Sequence, residues 1–133
     1  MHRIVKVIKF CYGHRLLDYD GKCAKPHGHN ATLEVELRSE KLDARGMVAD
    51  FRAVKDRLLS YIEAEIDHRM LLRRDDPLVG ALEAIGERPC ILDVNPTAEN
   101  LARLLFEKAR GFGLPVSAVR LWETESSYSE YRE

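Results

Sequence analysis

No stretch of the 133 residues approaches the ~20 consecutive apolar positions that a membrane-spanning helix needs. The first residues also lack the apolar core of a secretion signal. Charge of neither sign is in excess: 21 Lys and Arg stand against 22 Asp and Glu, a formal net charge of -1. That balance removes the electrostatic case for nucleic acid or an anionic membrane as the main partner. A disulfide framework is missing too, because the cysteines number 3, an odd count that favours reduced thiols. There is no internal repeat, and the only biased tract is a short tail rich in Ser, Glu and Tyr after Thr124. The expectation is a cytoplasmic protein forming a single domain over 1–133, with enough apolar residues (45%) for a core without staples.

Against these absences one stretch is dense in chemistry. Of the 5 histidines, His27 and His29 sit in Cys23-Ala24-Lys25-Pro26-His27-Gly28-His29, with His14 a few residues upstream. Catalytic zinc sites commonly take three protein ligands and leave one position open, and neutral imidazole suits the metal. Alternate residues of a strand share a face, so His27 and His29 point the same way, and Gly28 keeps the backbone between them uncrowded. His14 on a neighbouring strand would complete a three-imidazole cap. Cys23 lies in a polar loop beside Lys22 and Lys25, which favour thiolate. From the residues alone it is either a fourth ligand or a reactive thiol.

Taken in order, 3–14 is rich in β-branched and aromatic types and reads as a strand, with Lys6 out of pattern and a bulge expected there. Residues 18–26 form a loop, and a second strand runs from His27 to Arg38. There Leu33, Val35 and Leu37 make the apolar face, which His27 and His29 share by parity, while Glu34 and Glu36 are expected to face water. Asp50 caps a helix whose apolar face is Phe51, Val54, Leu58, Tyr61, Ile62 and Ile66. Residues 73–80 read as a polar turn, 78–86 as a short helix and 90–94 as a short strand. Thr97 caps a second long helix, with Leu101, Leu104, Leu105 and the stem of Lys108 as its buried stripe and Gly111 as its C-cap. Val116–Thr124 is the last strand, and Glu123 shares parity with Val119 and Leu121. A carboxylate on a buried face is costly unless something donates to it. The sum is α+β, an antiparallel sheet with two helices on one face, and its open edges favour an oligomer.

Several residues carry a bland reading beside the chemical one. Cys11 and Cys90 lie in apolar, strand-like runs and suit simple packing. Asp67-His68 at a helix end is either a surface pair or a carboxylate that fixes an imidazole for acid/base work. Lys22, Lys25 and Arg15 are candidates for gripping a polyanion, or simply solvated cations. His2 stands apart and is expected in solvent.

The motifs Phe10-x-x-x-His14, Cys23-x-x-x-His27-Gly28-His29-Asn30, Gly46-x-x-x-Asp50-Phe51, Asp67-His68, Pro96-Thr97-x-Glu99-Asn100 and Trp122-Glu123-Thr124 together resemble the 6-pyruvoyltetrahydropterin synthase family over nearly the whole chain. The three-residue spacing between Cys23 and His27 is similar to the bacterial 6-carboxytetrahydropterin synthase branch of queuosine (7-deazaguanine) biosynthesis. The resemblance implies a tunnelling fold whose subunits join their sheets into a barrel, as trimers or hexamers. It implies a lyase acting on 7,8-dihydroneopterin triphosphate, with zinc on His14, His27 and His29. Cys23 would be the proton-abstracting base, Asp67 and His68 its relay partners, often from a neighbouring subunit. Glu123 would anchor the pterin and Thr97 would contact it. In the carboxy branch, triphosphate and acetaldehyde leave, giving 6-carboxy-5,6,7,8-tetrahydropterin. The alternatives are the 6-pyruvoyl product and a non-catalytic zinc- or pterin-binding module. The chain departs from the family where Leu72 replaces a common Asn, in a longer 73–95 stretch, and in its polar tail.

Overall fold

Two long strands form the spine of the molecule. In the computed structural model, which describes all residues 1–133, β1 (His2–His14) and β2 (His27–Ser39) pair antiparallel. Their register runs unbroken from His2 opposite Ser39 to His14 opposite His27. The expected bulge near Lys6 is absent, and Lys6 keeps its place at the half-buried end of the strand. Because side chains alternate at a period of two, this register puts Ile8, Phe10, Tyr12 and His14 on one face with His29, Ala31, Leu33, Val35 and Leu37.

That face is covered by α1 (Phe51–Glu65) and α3 (Ala98–Gly111). Val54, Leu58 and Ile62 of α1 and Leu101, Ala102, Leu105, Phe106 and Ala109 of α3 are buried against it. Two expectations for the helix faces shift. Phe51, the first residue of α1, is 49% exposed, and Lys108 is exposed, its Nζ over the Tyr61 ring at 5.0 Å. The stripe of α3 passes through Ala102 and Phe106 instead. Asp50 caps α1, its carboxylate accepting from the Arg52 N–H at 2.8 Å, as the residue type predicts. Gly111 is still helical, and the left-handed turn that leaves α3 falls at Gly113, φ 78°.

The sheet has six strands in the order β4-β3-β1-β2-β5-β6, and it is mixed rather than wholly antiparallel. β3 (Met70–Arg73) lies parallel to β1, and β4 (Cys90–Leu92) parallel to β3. β5 (Val116–Thr124) and β6 (Ser127–Arg132) complete the other side antiparallel. β3 meets the polar turn expected over 73–80 only at Arg73 and fills a stretch with no expected element, and β6 lies where a polar tail was expected. A four-residue strand carries too little periodicity to be seen, and β6 is a polar edge strand turned back on β5. Leu72 is fully buried in β3. A third helix, α2 (Pro77–Ala84), buries none of its residues.

The uncovered face corrects a further expectation. Glu36 is not in water but fully buried. Ser117 Oγ donates to it at 2.9 Å, Arg120 Nη2 at 3.0 Å, and Arg38 Nε lies 2.8 Å away. Burial alone would raise its pKa, but Arg120 and Ser117 outweigh that and hold the carboxyl below its usual range. Parity predicted the face correctly; long arginines of β2 itself and of β5 then cover what parity leaves exposed.

Candidate functional site

The end of the β1/β2 ladder gathers three imidazoles. His14 and His27 are direct cross-strand partners, and His29 faces Tyr12 one step along. Ring centroids are 4.5 Å apart for His14 and His27 and 5.0 Å for each of the other two pairs. His14 is 3% exposed, while His27 and His29 are half-buried. The outward nitrogens are already committed: His14 Nδ1 lies 2.6 Å from the Pro96 carbonyl and His27 Nδ1 lies 2.7 Å from that of Lys25. A carbonyl only accepts, so each Nδ1 carries the proton and each Nε2 presents a lone pair. His14 Nε2 and His29 Nε2 stand 3.1 Å apart. Burial pushes the His14 imidazolium below its ordinary range, favouring the neutral ligand form. Facing ring nitrogens, two of the three rings oriented from behind by backbone carbonyls, form the donor arrangement of a metal centre. The residues therefore fit a zinc-type ion bound by His14, His27 and His29.

Glu123 closes the fourth side. From β5 its carboxylate comes within 3.7 Å of His14 Nε2 and 3.9 Å of His29 Nε2. The donor that a half-buried carboxylate requires is Tyr12, whose hydroxyl donates to Oε1 at 2.9 Å. Burial first, and then the neighbouring Glu123, push the Tyr12 phenol upward, so it stays protonated as a donor. Sequence reading passed over Tyr12, although it shares parity with His14 and faces His29.

The turn after α1 supplies the second group. Asp67 Oδ2 accepts from His68 Nδ1 at 2.8 Å, which aims Nε2 away from the carboxylate. His68 sits at φ 59°, a left-handed conformation uncommon outside glycine. Asp67 is desolvated, yet the Cys11 backbone N–H and His68 outweigh that and hold its carboxyl below the usual range. A cleft of about 470 Å³ is lined by Cys11, Gly13, His27, His29, Asn30 and His68, so both groups open onto one cleft. The cysteine beside Asp67 and His68 is Cys11, not Cys23. Cys11 Sγ lies 3.4 Å from His68 Nε2, and its backbone N–H donates to Asp67 Oδ1 at 3.0 Å. This corrects the simple packing role expected for Cys11. No sequence signal foretold the contact, because it depends on the parallel docking of β3 on β1. Cys90 does pack against the core, and burial raises its thiol pKa.

Cys23 occupies a 3-10 turn, Lys22–Ala24, half-buried and without a side-chain hydrogen bond to Asp67 or His68. Lys22 and Lys25 are exposed on the same loop. Arg15 is not free for a polyanion. Its guanidinium forks onto Asp76, with Nε 2.8 Å from Oδ2 and Nη2 bonded to Oδ1, and Asp76 is 3% exposed. Thr97 caps α3, its Oγ1 accepting from the Asn100 N–H at 3.2 Å, next to the carbonyl that holds His14.

This layout can be set beside proteins of known kind. The family model described as 6-pyruvoyl tetrahydropterin synthase matches residues 3–133. A Rickettsia felis protein named 6-carboxy-5,6,7,8-tetrahydropterin synthase is 34% identical, with 98% of this chain and 99% of its own covered. The Haemophilus influenzae protein of the same name is 30% identical, with both chains fully covered. The solved structure of Caenorhabditis elegans 6-pyruvoyl tetrahydropterin synthase superposes with a TM-score of 0.73 at 26% identity, covering 99% of this chain and 95% of that one. The sheet and its helices are those of the tunnelling fold, and the matched span takes in both clusters of the cleft. The chain belongs to the 6-pyruvoyl tetrahydropterin synthase family.

Proposed function

We propose that this protein is a zinc-dependent carbon–oxygen lyase that converts 7,8-dihydroneopterin triphosphate to 6-carboxy-5,6,7,8-tetrahydropterin, with loss of triphosphate and acetaldehyde. The pathway would be queuosine or 7-deazaguanine synthesis in the cytoplasm, carried out by a single domain over 1–133. The observation that carries this reading is the convergence of His14, His27 and His29, each facing the others, on a cleft that His68 also lines. The relatives that carry the 6-carboxy name support the choice of product. No helix here is long and apolar enough to cross a membrane.

When bound, zinc acidifies the hydroxyls of the substrate side chain. The chain's own residues do the rest. Asp67 holds the His68 proton at Nδ1, leaving Nε2 to exchange a proton with substrate or thiol. Cys23 takes a proton from the side-chain carbon. Tyr12 fixes one oxygen of Glu123, leaving the other for the amino and ring N–H groups of a pterin, with Thr97 beside it. Cys23 and His68 do not meet within one chain, which favours a homo-oligomer, trimer or hexamer, in which one copy's Asp67 and His68 serve another's Cys23. Pairing across the exposed sheet edges would close the barrel.

The deciding experiment is mass spectrometry of the product formed from 7,8-dihydroneopterin triphosphate, with an aldehyde assay alongside. The 6-carboxy product with acetaldehyde is expected. A 6-pyruvoyl product without aldehyde would replace it with the simpler elimination, and zinc binding without turnover would leave a binding module. Cys23→Ala should keep the metal and lose about 10²–10⁴-fold in turnover, the usual worth of a positioned acid/base group. Loss of metal in that variant would make Cys23 a ligand instead.

A further inference from the structure

Beside the three histidines a second set of donors meets. Cys11 Sγ, a carboxylate oxygen of Asp67 and a ring nitrogen of His68 all lie within 4.8 Å of one another. Sγ is 3.4 Å from His68 Nε2 and 3.8 Å from Asp67 Oδ1. A tetrahedral zinc with one sulfur and two N/O ligands sets its donors roughly 3.6 Å apart. Both measured edges are already close to that spacing. The cluster is tied by backbone as well as side chain: Cys11 N–H donates to Asp67 Oδ1 at 3.0 Å, and His68 N–H donates to the Cys11 carbonyl at 2.8 Å. Sγ is nearly equidistant from the two ring nitrogens, at 3.4 and 3.6 Å, so the sulfur lies over the ring rather than at the tip of one nitrogen. The His68 side chain is 77% exposed, so the imidazole has room to give up its Nδ1 bond to Asp67 and turn its Nε2 lone pair onto an ion held by the other two. Thiolate and carboxylate together neutralise a dication, and the mixed sulfur, nitrogen and oxygen set suits zinc better than calcium or magnesium. Cys11 and its neighbours line the cleft, so an ion has a path in.

We propose that Cys11, Asp67 and His68 form a second site for a zinc-type divalent ion, distinct from the three-histidine set. Occupancy takes the His68 lone pair and the Asp67 carboxylate out of proton transfer, so excess metal inhibits. The inhibition rests on the function proposed above; the binding does not.

The test is equilibrium dialysis of the full-length apoprotein against Co²⁺, read by metal content and by the near-ultraviolet thiolate-to-cobalt charge-transfer band. The native protein should take about two ions per chain, one for each ligand set, and show the band. Cys11→Ser should lose one ion and the band, while Cys23→Ser keeps both. A single ion in the native protein, or a band that follows Cys23, overturns the proposal. Should Cys11→Ser fail to fold, the native protein still decides. Zn²⁺ at the concentration that adds the second ion should protect Cys11 from alkylation, as read by peptide mass spectrometry, and unchanged labelling refutes the site. Excess Zn²⁺ should inhibit the native protein and spare Cys11→Ser; equal inhibition of both overturns the inhibitory consequence. Absence of any turnover would instead sink the proposed reaction while the ion count stands.

Discussion

The two walls of the cleft are made in different ways. The histidine wall is built by strand register: His14, His27 and His29 are placed by an unbroken antiparallel ladder whose face is set by parity. The other wall is built by turns. Asp67 and His68 leave α1 through a left-handed residue, and behind them, away from the cleft surface, Asp76 reaches back to Arg15 and Asn95 holds the segment after β1. There, Asn95 accepts from the Leu17 N–H at 3.0 Å and donates to the Leu17 carbonyl at 2.8 Å. Register is stiff and redundant, since each residue is fixed by its neighbours. Turns depend on single contacts, so single substitutions should separate the two walls.

The largest effect is expected from His14→Ala. Removing a buried imidazole whose Nε2 lies 3.1 Å from His29 Nε2 should empty the three-histidine set and abolish turnover, leaving only the ion that Cys11, Asp67 and His68 take up when metal is in excess. The ladder should hold, so circular dichroism should keep its native strand signal. His2, exposed at the far end of the same strand, is the control, and His2→Ala should retain metal and turnover. An undiminished ion count in His14→Ala would mean that register places the ring without using it.

The turn wall is tested by Arg15→Met, which keeps the length of the stem but removes the charge. Asp76 would remain buried with its partner gone, a loss of about 3 kcal/mol, read as a lowered denaturation midpoint. The pH dependence follows from the same pair. Arg15 holds the Asp76 carboxyl below its usual range. The pair's stabilisation is therefore complete above the ordinary carboxylate pKa and is lost as pH falls through the lowered one. In the variant that acid-side loss should disappear, and the stability curves of the two proteins should converge at low pH. A parallel shift at every pH would argue that the stem, not the charge, carries the effect.

The same division explains what could be read from the sequence. Parity placed His27 and His29 with Leu33 and Val35, and Glu123 with Leu121, because a period of two survives without tertiary knowledge. The caps at Asp50 and Thr97 were legible because they are local chemistry. What was missed depends on joins between distant segments. β3 has four residues and no period to show, so its parallel docking on β1 was invisible, and with it the contact of Cys11 with Asp67 and His68. Arg15 looked like a free cation because Asp76, its partner 61 residues on, approaches only once the 73–95 stretch folds. Glu36 looked exposed because parity names a face, not what long side chains of the same and the next strand do over it.

Thr97 caps α3 beside the carbonyl that orients His14, and it separates two roles that the sequence joins. Its hydroxyl caps α3, accepting from the Asn100 N–H at 3.2 Å, and it follows the carbonyl that orients His14. Thr97→Ala removes the cap acceptor and should lower stability by about 1 kcal/mol. Thr97→Ser keeps the acceptor and should restore most of it. If the hydroxyl serves the helix alone, both variants should hold pterin with equal affinity, measured by fluorescence titration. If it also touches the pterin, Thr97→Ala should bind more weakly while Thr97→Ser matches the native protein. Metal content should be unchanged in both, because the Pro96 carbonyl that holds His14 belongs to the backbone and survives the substitution. A loss of metal in Thr97→Ala would show that the helix cap fixes the histidine wall as well, and that the two walls are not mechanically independent.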